Sequence, residues 1–246
     1  AGRVSLHLSD VAKRRGDTGQ WERQLHNARS HFEKSEDLQG LSDVLAGLAF
    51  LEIHRHDLDA AIDHLKQALR LKEAIADRHG IGTVHNHLGI VALRQSKPKT
   101  AQHHLHYARE LFEAIGDPYQ VGLTLANLAL VHLLERNYAR AEKCLERSTA
   151  IMRDIGDDIL VSGCLTNQGL VCIGRLQRDE ARDLFREAWH LVQQAGSRRG
   201  HAEILSNLAF VAAWDGEIAA AQRMLKELLQ EELTQAESAT VHATLG

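Results

Sequence analysis

Proline is almost missing from this chain, which has two in 246 residues, Pro98 and Pro118, so little in it interrupts helices. Phe, Tyr and Trp together make up only 4%. No stretch alternates apolar and polar residues with period two, which removes the case for a sheet. Cysteine is scarce as well: Cys144, Cys164 and Cys172 are too few and too irregular for a disulfide framework or a zinc cluster. Cys164 and Cys172 would lie roughly 12 Å apart along one helix, beyond disulfide reach. Small thiols in a reducing cytosol fit this usage, and the chain is expected to be cytoplasmic. No apolar run approaches the ~18–20 residues that span a bilayer, and no signal-peptide pattern precedes the first helix. A basic excess is also lacking. With 29 Lys and Arg against 33 Asp and Glu the net charge is −4, which argues against a nucleic-acid surface.

What the chain does have is a repeat. In lines of forty residues it aligns with itself from end to end without a gap. One column reads Leu8, Leu48, Leu88, Leu128, Gln168, Leu208, and the next Ser9, Ala49, Gly89, Ala129, Gly169, Ala209. Further on come Trp21, Ala61, Ala101, Ala141, Ala181, Ala221, then Leu25, Leu65, Leu105, Leu145, Phe185, Leu225, then Ala28, Ala68, Ala108, Ser148, Ala188, Leu228. Small residues where two helices cross let the backbones approach, and a large neighbour fills the adjacent gap. One such hairpin cannot bury its apolar face alone, whereas a stack of them can.

Each copy divides into a helix A and a helix B. In the fourth, Val121 to about Glu135 is helix A and Tyr138 to about Ile155 is helix B, with Arg136 and Asn137 between them. Gly116, Gly156 and Gly196 stand where a left-handed residue closes helix B. Asp37, Asp77, Asp117, Asp157 and Ser197 are placed to cap the next helix A, and Asp17, Asp57 and Asn137 to cap helix B. Pro98 and Pro118 suit first helical positions, and Gln120 completes a capping box with Asp117.

These columns resemble the tetratricopeptide repeat pattern, an Asn-Leu-Gly core in helix A followed by Ala, a bulky apolar residue and Ala in helix B. Here the matches are Asn127-Leu128-Ala129 with Ala141, Leu145 and Ser148, and Asn207-Leu208-Ala209 with Ala221 and Leu225. The period of forty exceeds the usual thirty-four, and helix B closes with Ile-Gly-Asp (Ile115-Gly116-Asp117, Ile155-Gly156-Asp157) rather than proline. That longer form is similar to repeats of bacterial maltose-activator-type regulators, signalling ATPases, kinesin light chains and spindle-orientation adaptors. The resemblance implies an all-α, right-handed α-solenoid of six helix–turn–helix repeats. One domain would cover 1–246, with repeats near 1–39, 40–79, 80–119, 120–159, 160–199 and 200–234. Residues 235–246 would form a capping helix or the start of a seventh repeat, Leu245 sharing the column of Leu125 and Leu205. A truncated seventh repeat implies a fragment of a longer polypeptide.

The resemblance also assigns the A helices to a concave groove that holds a protein or peptide. One column there contains Gly47, His87, Asn127, Asn167 and Asn207, whose carboxamides can pair with the backbone of an extended peptide or bond between neighbouring helices. The adjoining column is Phe50, Ile90, Leu130, Leu170 and Phe210, with Ile53, Leu93, Leu133, Ile173 and Ala213 close by and Leu134 and Trp214 one residue beyond. It forms either an apolar trough for an amphipathic helix or packing between A helices. A cationic clamp for a C-terminal carboxylate is missing, because Ala46, Asn86, Ala126 and Phe50 carry no charge.

Sixteen histidines include the groups His54/His56, His85/His87 and His103/His104/His106, yet no thiol or carboxylate completes a four-ligand metal set, and no cofactor is expected. No phosphate loop, HExxH or GxSxG motif is present, so no enzyme is expected. Two binding roles stay open: a scaffold recruiting a protein or peptide, as part of a larger bacterial signalling or regulatory protein, or the ligand-sensing arm of a multidomain transcriptional regulator.

Overall fold

The computed structural model describes residues 1–15, 17–197 and 200–230. Among them all regular structure is helical. In chain order the helices are α1 (Gly2–Arg15), α2 (Thr18–Ser35), α3 (Leu38–His54), α4 (Leu58–Ala74), α5 (Arg78–Arg94), α6 (Pro98–Ile115), α7 (Pro118–Leu134), α8 (Tyr138–Ile155), α9 (Asp158–Gly174), α10 (Arg178–Gln194) and α11 (His201–Trp214). A twelfth helical run, α12, covers 218–230. Odd-numbered helices are the A helices of the repeat and even-numbered ones the B helices. The part of the expected seventh repeat at 235–246 lies outside the described residues.

Two compact units divide at Val131–His132, inside α7. In the first, helices α1 to α6 each pack on their neighbour in sequence. Trp21, Leu25, Ala28, Phe32, Val44, Leu48 and Leu51 form one core cluster; Leu45, Ala49, Ile53, Ala61, Leu65, Ala68, Val84 and Val91 form the next. In the second, α9 packs on α8 and α10, and α10 on α11. There Ala141, Leu145, Ala181, Phe185, Ala188 and Val192 are sealed from solvent. Fully burying a Leu- or Phe-sized side chain contributes about 1.5–3 kcal/mol, so the large-residue column supplies much of each unit's stability.

The turns follow a rule finer than the forty-residue period. A left-handed residue recurs every twenty positions: Glu36, His56, Ala76, Ser96, Gly116, Arg136, Gly156, Leu176, Gly196 and Gly216. The next residue donates its backbone N–H to the carbonyl five positions back, as in Asp37 to Phe32 (3.1 Å), Asp77 to Lys72 (2.9 Å) and Gln177 to Cys172 (2.9 Å). This 6→1 bond closes the helix and requires the left-handed conformation. The same residue then opens the next helix with its side chain. Asp17, Asp37, Asp57, Asp77, Asp117, Asp157 and Asn137 each accept the N–H three positions on. Lys97 makes no such bond, and the proline expected at a helix start follows it as the first residue of α6. The expected cap at Ser197 is not where α11 begins. That helix starts at His201 behind Gly200, itself left-handed with φ 83.

Six of the ten left-handed positions hold a residue with a Cβ, which costs roughly 1–2 kcal/mol there. Leu176 is the plainest case, with φ 63 and a side chain 75% exposed. Leu176→Gly should raise stability by about 0.5–1 kcal/mol after glycine's entropy cost, or about 1–4 °C in a melt. A lower melting temperature would show that the turn is not strained.

Two further features are built on the repeat. Arg55 makes a bidentate pair with Glu22, both bonds 2.7 Å, and Arg175 does the same with Glu142 at 3.0 and 2.9 Å. In the next copy the polarity is reversed, and Arg182 reaches Asp215 at 2.8 Å. Such exposed pairs contribute little energy, and their recurrence marks a fixed register between helix B and the following repeat. Lys72, in contrast, occupies a column that is apolar in four other copies (Phe32, Phe112, Met152, Val192) and is itself buried. Its ammonium donates to Asp43 at 2.6 Å and Asp77 at 2.7 Å.

Candidate partner-binding face

The A helices α3, α5, α7, α9 and α11 turn most of their circumference into a core and leave one stripe uncovered. In α3, Val44, Leu45, Leu48, Ala49 and Leu51 are buried, while Gly47 and Phe50 are half-buried and His54 is exposed. In α5 the stripe is His87, Ile90 and Arg94; in α7 it is Asn127, Leu130 and Leu134. In the second unit it runs through Asn167, Leu170 and Gly174 on α9 and through Asn207, Phe210 and Trp214 on α11. Spacings of three and four residues put these positions on one face. Both columns assigned to a partner therefore fall on the least-covered face of their helices. Ile53 does not, being 2% exposed in a core cluster with Ala61 and Leu65, although its column turns outward by Ala213.

The apolar column divides its surface between core and solvent. Phe50 packs one edge against the first core cluster. Ile90, Leu130 and Leu170 are half-buried, and Phe210 is 55% exposed. The asparagine column is not uniform either. Asn127 donates from Nδ2 to Oδ1 of Asn86 on α5, at 3.1 Å, a bond between neighbouring A helices. The positions equivalent to Asn86 are Ala46, Ala126, Thr166 and Ser206, so no second carboxamide stands there to repeat it. Among the described residues, Asn207 Nδ2 and His87 Nδ1 are buried with no hydrogen-bond partner.

In the first unit the stripe gathers aromatic rings and positive charge. The Phe50 ring lies 6.0 Å from Trp21, 5.1 Å from His54 and 5.8 Å from His87, and Lys13 Nζ sits 3.7 Å above its centroid. Desolvation, then the charges of Arg94, Lys13 and His56, lower the pKa of His54. Burial, with a smaller push from Lys13, takes His87 down to about 4. His87 is therefore neutral at pH 7, and Lys13 and Arg94 carry the formal charge here. Sequence reasoning passes over Lys13 and Arg94 and weighs His54 only among possible metal ligands. The available signal was register, since His54 and Arg94 follow Phe50 and Ile90 by one helical turn.

In the second unit the stripe sets Asn167 and Asn207 beside apolar side chains. Phe210 and Trp214 stack at 6.0 Å, and Arg178 lies 5.3 Å from the Trp214 ring, where it also pairs with Asp215. Among the described residues no three His, Cys, Asp or Glu side chains converge as a metal cluster, and no helix is long and apolar enough to cross a membrane.

A tetratricopeptide repeat family model matches residues 40–114 and 120–194. Solved structures resemble the fold at low sequence identity. BtubC from P. vanneervenii is 15% identical with a TM-score of 0.67, covering 91% of each chain. A Rap protein complexed with competence and sporulation factor is 12% identical with a TM-score of 0.71, covering 93% of this chain and 75% of the other. NprR in complex with its cognate peptide NprX is 14% identical with a TM-score of 0.75, covering 94% of this chain and 66% of the other. No curated protein matches by sequence.

Proposed function

Because the chain belongs to the tetratricopeptide repeat family, we propose that it is a non-catalytic scaffold that holds a polypeptide segment on the uncovered face of its A helices. The observation that carries this reading is the apolar surface left uncovered on that face. Phe210 is 55% exposed, with the Trp214 ring 6.0 Å away. Burying a side chain of this size contributes about 1.5–3 kcal/mol, which an apolar side chain of a bound segment would gain by covering Phe210 and Trp214. Ile90, Leu130 and Leu170 add half-buried apolar surface on α5, α7 and α9 beside His87, Asn127 and Asn167, and Phe50 adds its ring on α3. The Rap and NprR complexes carry a factor and a cognate peptide, which supports a peptide-sized partner. The unbroken forty-residue period supports treating the array as one domain, serving a larger signalling or regulatory protein in the cytoplasm.

The test is affinity capture from the source organism's lysate with native chain and two variants. Phe210→Glu alters an exposed residue and should reduce recovery of the partner at least tenfold while helical signal and melting are kept. Leu130→Glu with Leu170→Glu should also abolish capture, with circular dichroism separating lost binding from lost fold, since both residues are half-buried. A partner retained equally by folded Phe210→Glu and by the folded double variant would place binding elsewhere.

A further inference from the structure

One column departs from the repeat in a way that packing does not require. Leu45, Leu125, Leu165 and Leu205 are 2%, 3%, 2% and 3% exposed, and each is part of a core. The equivalent residue on α5 is His85, half-buried and directed at a second imidazole, His104 on α6. Their Nδ1 atoms are 3.1 Å apart. Tyr107 stacks on His85 with centroids 4.5 Å apart, and His103 lies against His104 at 5.6 Å. A leucine here would match those four repeats, and the histidine gives up that burial.

We propose that His85 and His104 form a two-imidazole binding site for a borderline divalent cation, with zinc as its type ligand. Zinc binds histidine nitrogen at about 2.0–2.1 Å, so two ligands of a tetrahedral ion sit roughly 3.3 Å apart. The observed spacing is already close to that. Without metal, one Nδ1–H donates to the other Nδ1, and the two ring planes are tilted by 55° with centroids 5.1 Å apart. With metal, both rings take the tautomer protonated at Nε2 and both Nδ1 lone pairs turn to the ion. No third His, Cys, Asp or Glu joins them among the described residues, so water completes the coordination sphere. Half of a structural ligand set implies a dissociation constant on the order of 10–100 μM. The assignment is independent of the proposed partner-binding face.

Calorimetric titration with zinc chloride at pH 7.5 tests it, on the native chain, His85→Leu and His104→Gln. The native chain should show one site per chain in that affinity range, lost in both variants, while any weaker sites from the other histidines persist. His85→Leu restores the leucine column, so without metal it should melt no lower than the native chain, which separates loss of a ligand from loss of fold. Absence of the site in the native chain, or its retention in either variant, overturns the proposal.

Discussion

The double substitution Asp43→Asn with Asp77→Asn is expected to cost about 3–5 kcal/mol, the range for removing the partners of a buried charge. Both carboxylates lie within 2.7 Å of the Lys72 ammonium, whose side chain is only 5% exposed. Asparagine keeps an acceptor for the Gly80 N–H, so the helix cap that Asp77 supplies is preserved and the loss is one of charge. Adding Lys72→Met should recover most of the stability, since Met152 fills the same column in another repeat. Denaturant unfolding of the three proteins measures this. Failure of the triple variant to recover would mean that the carboxylates act other than through Lys72. A pH dependence accompanies it. Burial alone would raise the Asp77 carboxyl, but Lys72, the Gly80 N–H and Gln39 together hold it below its ordinary value. A carboxyl depressed in the fold stabilises above its unfolded pKa near 3.9, and this is lost as pH falls through the lower folded value. The double variant should show a flatter stability profile below about pH 4.

Gly169→Ala should destabilise the second unit by about 1–3 kcal/mol through overpacking, less the gain of up to ~1 kcal/mol in helix propensity. A Cβ at Gly169 would meet the ring of Phe185, which is wholly buried and cannot swing away. The remedy is written elsewhere in the chain. Ala49 with Leu65, Ala129 with Leu145 and Ala209 with Leu225 occupy the same two columns, and only opposite Gly169 is the large residue a phenylalanine. Phe185→Leu alone leaves a cavity and costs about 1 kcal/mol, whereas the double variant carries the Ala–Leu pair of three other repeats and should lie close to wild type. A coupling energy near zero in this double-mutant cycle would show that the two columns are not packed as described.

These examples indicate where the sequence was informative. The period, the helix pairs, the Ala and Leu columns and the Asp caps could all be read, because each is a residue type repeated at a fixed interval. The left-handed turns were found only where glycine marks them, at Gly116, Gly156 and Gly196. At Glu36, His56, Ala76, Ser96, Arg136 and Leu176 the conformation is imposed by the hydrogen bond of the following residue, and no side chain announces it. Nothing local in the sequence marks Lys72 as buried, since its burial depends on two carboxylates 29 residues before and 5 after it. The candidate face was legible as columns and not as exposure. Whether Phe50 or Phe210 meets solvent depends on what packs beside it, and the two differ despite sharing a column. The Asn127–Asn86 bond could have been anticipated by comparing adjacent columns one repeat apart.

The central claim is that the A-helix face holds the partner, and site-specific photocrosslinking tests it most directly. A benzophenone side chain would be placed at Ile90 or Phe210 on A helices, and at Arg70 or Arg186 on the exposed surface of B helices α4 and α10. After irradiation in lysate of the source organism, the A-helix positions should give a discrete adduct to one polypeptide and the B-helix positions none. An adduct formed from Arg70 or Arg186, with none from Ile90 or Phe210, would contradict the account.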